Sequence, residues 1–113
     1  MTNYTAGHNA EKYAADYLKK LGYQILDLNW KTRYCEIDII AQKNQTIHFI
    51  EVKYRSGNRQ GLGLDYITTK KQAKMNYSAE LWVNHHHWAG EYVLSAIEIS
   101  GQDFDSINFI EVI

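Results

Sequence analysis

The sequence predicts an α/β domain in the order αβββαββ, with a mixed or antiparallel sheet flanked by helices. Three observations carry this. Apolar residues recur at spacings of three and four over residues 6–21 and again over 69–84. Short runs rich in β-branched and aromatic residues, separated by polar turns, fill 23–54 and 91–113. Gly22 and Thr68 stand where a helix would stop and where one would start.

Taken in order, the first helix spans 6–21, with Ala10, Ala14, Tyr17, Leu18 and Leu21 along its apolar stripe and Gly22 as its left-handed terminator. Glu11 lies on the border of that stripe, where it can look toward the sheet. "YQILDLNW" (23–30) reads as a strand, "KTRY" as a turn, and 35–41 and 46–54 as the next two strands. "SGNRQGLGLD" (56–65) has three glycines in ten residues and no period, so it reads as a loop. The second helix runs from Thr69 to Asn84 with Thr68 as N-cap, and Ala73, Tyr77, Leu81 and Trp82 are expected on its inner side. Residues 91–99 and 107–113 close the chain as strands.

At 113 residues, 45% hydrophobic and 22% charged, one soluble domain over 1–113 is expected. No apolar run approaches the roughly 18 residues of a membrane span, and the start lacks the basic and apolar regions of a secretory signal. The lone Cys35 forms no internal disulfide, so a cytoplasmic location is expected. The adjacent histidines of "NHHHWAG" cannot all converge on one ion. Most of the tyrosines and tryptophans read as packing; Tyr34 and Tyr54 are set apart because they flank the charged strands.

The net charge of −1 hides an asymmetry. Residues 53–74 carry Lys53, Arg55, Arg59, Lys70, Lys71 and Lys74 against Asp65, six minus one, or +5; the rest carries six basic and twelve acidic residues, or −6. This basic segment follows a stretch, "CEIDIIAQKNQTIHFIEVKYR", in which charges interrupt apolar strands. By strand alternation, Glu36 and Asp38 share one face and Ile37 and Ile39 the other, while Glu51 and Lys53 share a face. A two-residue turn at Asn44–Gln45 would place Asp38 opposite Glu51 and Glu36 opposite Lys53. Opposed carboxylates repel and resist burial. Protonation of one acid, neutralisation by Lys53, or a divalent cation bridging both would relieve them. Oxygen ligands of this kind suit Mg²⁺ or Mn²⁺. The plain alternative is a ladder of surface ion pairs. The spacing D–x12–E–x–K, from Asp38 through Glu51 to Lys53, is that of the restriction-endonuclease-like nucleases.

"GHNAEKYAADYLKKLGYQILDLNW", "CEIDII", "FIEVKYR" and "ITTKKQA", occurring in that order across residues 7–83, resemble the YraN family, small bacterial proteins related in fold to archaeal Holliday junction resolvases. The resemblance implies a three-layer α/β/α restriction-endonuclease-like fold. It also carries the resolvase site pattern onto Glu11, Asp38, Glu51 and Lys53, with Gly7 and Arg55 matching family positions. Two residues depart: Cys35 stands where the family usually has glycine, and Ser95 where it usually has aspartate.

The expectation is a metal-dependent nuclease, or nuclease-like protein, acting on structured, branched DNA. Asp38 and Glu51 would hold Mg²⁺ or Mn²⁺, Lys53 would serve the attacking water, and Glu11 would assist through a water on the metal. Arg55, Arg59, Lys70, Lys71 and Lys74 would hold the nucleic-acid backbone, and a homodimer is expected on a two-stranded substrate. The alternatives are a catalytically silent nucleic-acid-binding module on the same fold and a protein–protein adaptor.

Overall fold

The computed structural model describes residues 3–55 and 67–113, with side chains from residue 9 onward within those ranges. Arg59, Asp65 and the loop expected over 56–65 lie outside the described residues. Helix α1 (Asn3–Lys20) stops at Gly22, which takes φ +94°. The N–H of Gly22 donates to Lys19 O (3.0 Å) and that of Tyr23 to Leu18 O (2.9 Å), satisfying carbonyls that the ended helix would leave orphaned. Strands β1 (Gln24–Lys31), β2 (Glu36–Lys43) and β3 (Thr46–Arg55) follow, then helix α2 (Thr69–His85) and strands β4 (Glu91–Ser100) and β5 (Ser106–Ile110). Thr68 caps α2, its hydroxyl accepting from the N–H of Lys71 at 3.1 Å. The order is αβββαββ, as the sequence predicts.

The five strands lie side by side in chain order. β1, β2 and β3 are antiparallel, β3 and β4 are parallel, and β4 and β5 are antiparallel. The parallel pair requires a crossover, and α2 supplies it. Each helix covers one face of the sheet. On one side Ala10, Ala14 and Leu18 of α1 bury Ile39, Ile50, Ile97 and Ile99. On the other, Met75, Ala79 and Trp82 of α2 bury Ile37, Ile47, Phe49 and Leu94. These are the three layers of an α/β/α sandwich.

Two expectations need correction. The inner stripe of α2 is Met75, Ser78, Ala79 and Trp82, whereas Ala73, Tyr77 and Leu81 are exposed. Both stripes have helical spacing, so periodicity alone did not choose between them. The deciding factor is the pocket opposite, which Met75 and Trp82 fill and which Phe49 closes edge-on (ring centroids 5.7 Å from Trp82). The second correction concerns Ile37 and Ile39. They pack in different layers, the first against the α2 side and the second against the α1 side, so simple alternation breaks around Asp38.

The fully buried Ser95 is tied into the sheet's packing. Its hydroxyl donates to Glu111 O (2.5 Å) and meets Nδ1 of His48 at 2.9 Å. With the serine proton so used, Nδ1 carries the histidine proton. Burial lowers the His48 pKa, against the pull of Glu111.

Candidate functional site

The β2–β3 hairpin turns at Asn44–Gln45, where Asn44 adopts φ +56°. Its register runs Lys43↔Thr46, Gln42↔Ile47, Ala41↔His48, Ile40↔Phe49 and Ile39↔Ile50, the pairing expected from a two-residue turn. There the ladder ends. Asp38 and Glu51, the next positions, do not close another backbone pair. Instead the Asp38 carboxylate reaches across, and its Oδ2 accepts the N–H of Val52 at 2.8 Å. Glu51 continues β3 against Ala96 of β4, and Glu36 pairs with Lys31 of β1. The strands therefore fork, and Asp38 fills the crotch. Glu36 does not oppose Lys53, whose register partner is Glu98.

This position is costly for a charge. Asp38 is only 9% exposed. Burial first, and the Glu51 carboxylate second, push its carboxyl up to about 8, with Glu11 and Glu36 adding to the rise and the Val52 N–H opposing it. Burial also raises the pKa of Glu51, against the pull of Lys71 and, more weakly, Lys53. Glu51 Oε2 is buried and accepts no well-formed hydrogen bond among the described residues. Its charged neighbour is the ammonium of Lys71, 3.3 Å away on the first turn of α2. At that distance the two groups pair electrostatically without good hydrogen-bond geometry.

A second carboxylate pair flanks the fork. Asn29, in the middle of β1 and level with Asp38 between the pairs Leu28↔Ile39 and Trp30↔Ile37, adopts φ +53°. A non-glycine residue in the left-handed region inside a strand is strained by about 1 kcal/mol or more. With its amide nitrogen turned toward the carboxylates, Asn29 donates to Glu11 Oε1 (3.0 Å) and Glu36 Oε1 (2.9 Å). Thus Glu11 on α1, Glu36 and Asp38 on β2 and Glu51 on β3 gather around one point of the sheet.

The cations divide. Lys53 is exposed, two residues beyond Glu51 along the same strand. Arg55 donates from Nε to Glu98 Oε2 at 3.0 Å, both side chains being largely buried. Lys71 meets Glu51, while Lys70 and Lys74 are exposed on α2. Tyr54 is a packing residue, its hydroxyl donating to Gly101 O (3.2 Å) and its ring lying against Phe104. Tyr34 is exposed and lies against Tyr77. In "NHHHWAG", His86 stacks on Trp82 (3.9 Å) while its Nδ1 meets the Trp82 carbonyl at 2.9 Å, in contact with its own helix end.

Among the described residues no group of three or more histidine, cysteine, aspartate or glutamate side chains is arranged to hold a metal ion. What the fork offers is two carboxylates. Sequence reasoning missed Asn29 and the contact between Lys71 and Glu51. An asparagine inside an otherwise strand-like run, "DLNW", was the available signal for the first. For the second there was none, because twenty residues separate the partners. Among the described residues, no helix is long and apolar enough to cross a membrane.

Residues 10–112 match the profile of the uncharacterised protein family UPF0102. A UPF0102 protein of Cytophaga hutchinsonii is 34% identical over 103 residues, covering 91% of each chain. One of Vibrio parahaemolyticus is 34% identical over 109 residues, covering 93% of this chain and 88% of its own. Another, of Chlorobium chlorochromatii, is 42% identical over 77 residues, covering 68% of this chain and 60% of its own. With the profile spanning nearly the whole chain and relatives above 30% identity along most of it, this protein belongs to the UPF0102, or YraN, family.

Proposed function

We propose that this protein is a divalent-metal-dependent nuclease that hydrolyses phosphodiesters in structured DNA. The observation that carries the reading is the fork: a buried Asp38 beside a partly buried Glu51, whose charge raises the Asp38 pKa and whose nearest cation among the described residues is Lys71 at 3.3 Å. Two carboxylate oxygens completed by water and substrate phosphate are a usual set for Mg²⁺ or Mn²⁺, so the donors fit such an ion. When bound, the metal would supply Lewis-acid polarisation of the scissile phosphodiester. Asp38 and Glu51 would hold it. Lys53, exposed beside them, would orient the attacking water and stabilise negative charge growing on the phosphoryl oxygens. Glu11 and Glu36, joined through Asn29, hold that strained residue of β1 in place beside the fork. Lys70 and Lys74 would attract the phosphate backbone.

A two-stranded substrate presents two phosphodiesters and one fork reaches one, so two-fold pairing on DNA belongs to this reading. So does a cytoplasmic location, where DNA and a reduced Cys35 would coexist. One observation favours the silent nucleic-acid binder: Lys71 already places a positive charge on Glu51.

A panel of branched, flapped, duplex and single-stranded DNA, with Mn²⁺, Mg²⁺ or chelator, tests the proposal. Cleavage that needs the metal and disappears in both Asp38→Asn and Lys53→Ala supports it. Unchanged cleavage in Asp38→Asn, or binding without cleavage under every condition, defeats it, the latter in favour of the silent binder.

A further inference from the structure

Among the described residues, a pair of exposed tyrosines forms a surface that the proposed chemistry does not use. Tyr34, in the β1–β2 turn, and Tyr77, on α2, are 39% and 47% exposed. Their ring centroids are 4.4 Å apart and the planes are inclined at 60°. An inclined pair of this kind leaves ring surface in water that neither tyrosine covers for the other. Isolated exposed aromatics are common and call for no explanation, but this pair is built.

Beneath it lies Ser78, fully buried. Its Oγ meets Thr32 Oγ1 at 2.8 Å and Cys35 Sγ at 3.2 Å. Thr32 Oγ1 in turn accepts the N–H groups of Tyr34 (3.1 Å) and Cys35 (3.2 Å) and donates to Cys35 O (3.1 Å). The turn bearing one ring is thereby fastened to the helix at the residue next to the other ring. Two side chains 43 residues apart are held together by a partly buried polar network, which makes them a preorganised surface.

Its surroundings are basic on the side that leads to the fork. The outward stripe of α2 runs Lys70, Ala73, Lys74, Tyr77 and Leu81, all exposed, and Arg33 acts electrostatically on Tyr77. Lys71, beside the start of this stripe, touches Glu51. From Lys71 to Tyr77 is six residues, about 9 Å along a helix axis. At the roughly 3.4 Å per nucleotide of a stacked duplex strand that length is under about three nucleotides, and a more extended unpaired strand covers it in fewer. On the other side, Tyr34 stands two residues before Glu36, which meets Asn29.

We propose that Tyr34 and Tyr77 form a stacking platform for an unpaired base lying within about three nucleotides of the phosphate at the carboxylate fork. The occupant is one nucleotide of a single-stranded segment, as at a flap, gap or junction, with Arg33, Lys70 and Lys74 matching its phosphates. A ring face recognises any base, so the platform would select strand structure and not sequence. This inference rests on the nucleic-acid reading above and names the feature of the substrate that the site recognises.

The test is binding measured by fluorescence anisotropy in chelator, so that no cleavage intervenes. The probes are oligothymidylate, a flapped duplex and a fully paired duplex. Wild type should prefer the first two. Tyr77→Ala should weaken binding to them about 5- to 150-fold, the loss of one base–aromatic stack, and leave paired-duplex binding and its salt dependence unchanged. Tyr77→Trp should retain the preference, which also controls for folding. A single strand carrying 5-iodouracil should crosslink to Tyr34 or Tyr77. Equal losses on all three probes, no loss, or crosslinking only elsewhere would overturn the platform. The failures are distinguishable: a protein that shows the preference but never cleaves keeps the platform and loses the nuclease. One that cleaves, with Tyr77→Ala indistinguishable from wild type on every probe, keeps the nuclease and loses the platform. Absence of any nucleic-acid binding overturns both.

Discussion

The two ends of the β2–β3 hairpin lie on the same two strands and behave oppositely. Near the turn, Ile39, Ile40, Ile47, Phe49 and Ile50 are fully paired and buried in both layers. One residue further the strands part, and a carboxylate replaces a backbone carbonyl as acceptor for Val52. The comparison shows how a sheet can carry a buried acid. The apolar end supplies stability and fixes register. The charged end, held in that register, relieves its repulsion by protonating Asp38 and by setting Lys71 against Glu51.

If this division holds, the largest effect belongs to the apolar end. Phe49→Ala should destabilise by about 3–5 kcal/mol, since it empties a fully buried site between Trp82 and Tyr92. Denaturant midpoints measure this, and a loss below about 1 kcal/mol would mean that the paired end is not what carries the fold.

The next effect belongs to the fork. Mn²⁺ at about one hundred times its Kd should stabilise the wild type by about 2.7 kcal/mol, seen as a rise in Tm. Asp38→Asn, which keeps an acceptor for Val52 while removing the charge, should abolish the rise and leave the metal-free protein at least as stable. A rise of equal size in Asp38→Asn would remove Asp38 from the site.

The pH dependence sharpens the same contrast. Folded Asp38 titrates at about 8 and unfolded aspartate near 4, so between those values the native state holds one more proton. The metal-free protein should lose stability as pH rises through this window, by up to about 1.4 kcal/mol per pH unit, relative to Asp38→Asn. Parallel stability curves for the two proteins would contradict a buried, protonated Asp38.

The smallest effect is at the rim. Lys71→Met removes the cation from Glu51 and should cost about 1 kcal/mol without metal, because both partners of this pair are only partly buried. The same change should enlarge the Mn²⁺-induced rise in Tm, the ion then meeting a carboxylate with no competitor. A reduced rise would make Lys71 part of the metal-binding arrangement and not its rival.

Much of this molecule was legible in one dimension, for identifiable reasons. Gly22, Thr68 and the Asn44–Gln45 turn act on their immediate neighbours, so helix ends and hairpin register followed from residue type and short spacing. The placement of Asp38 level with Glu51 followed from that register. Other features required elements distant in sequence to meet. Which stripe of α2 turns inward depended on the shape of the pocket around Phe49, because two stripes had the same period. The loss of alternation at Asp38, the left-handed Asn29 and the pairing of Lys71 with Glu51 arise where β1, β2, β3 and both helices converge. Local pattern determined the elements, their order and the acids at the end of the hairpin. Only tertiary packing decided which way those acids point and what neutralises them, since burial and Coulomb energy depend on neighbours in space.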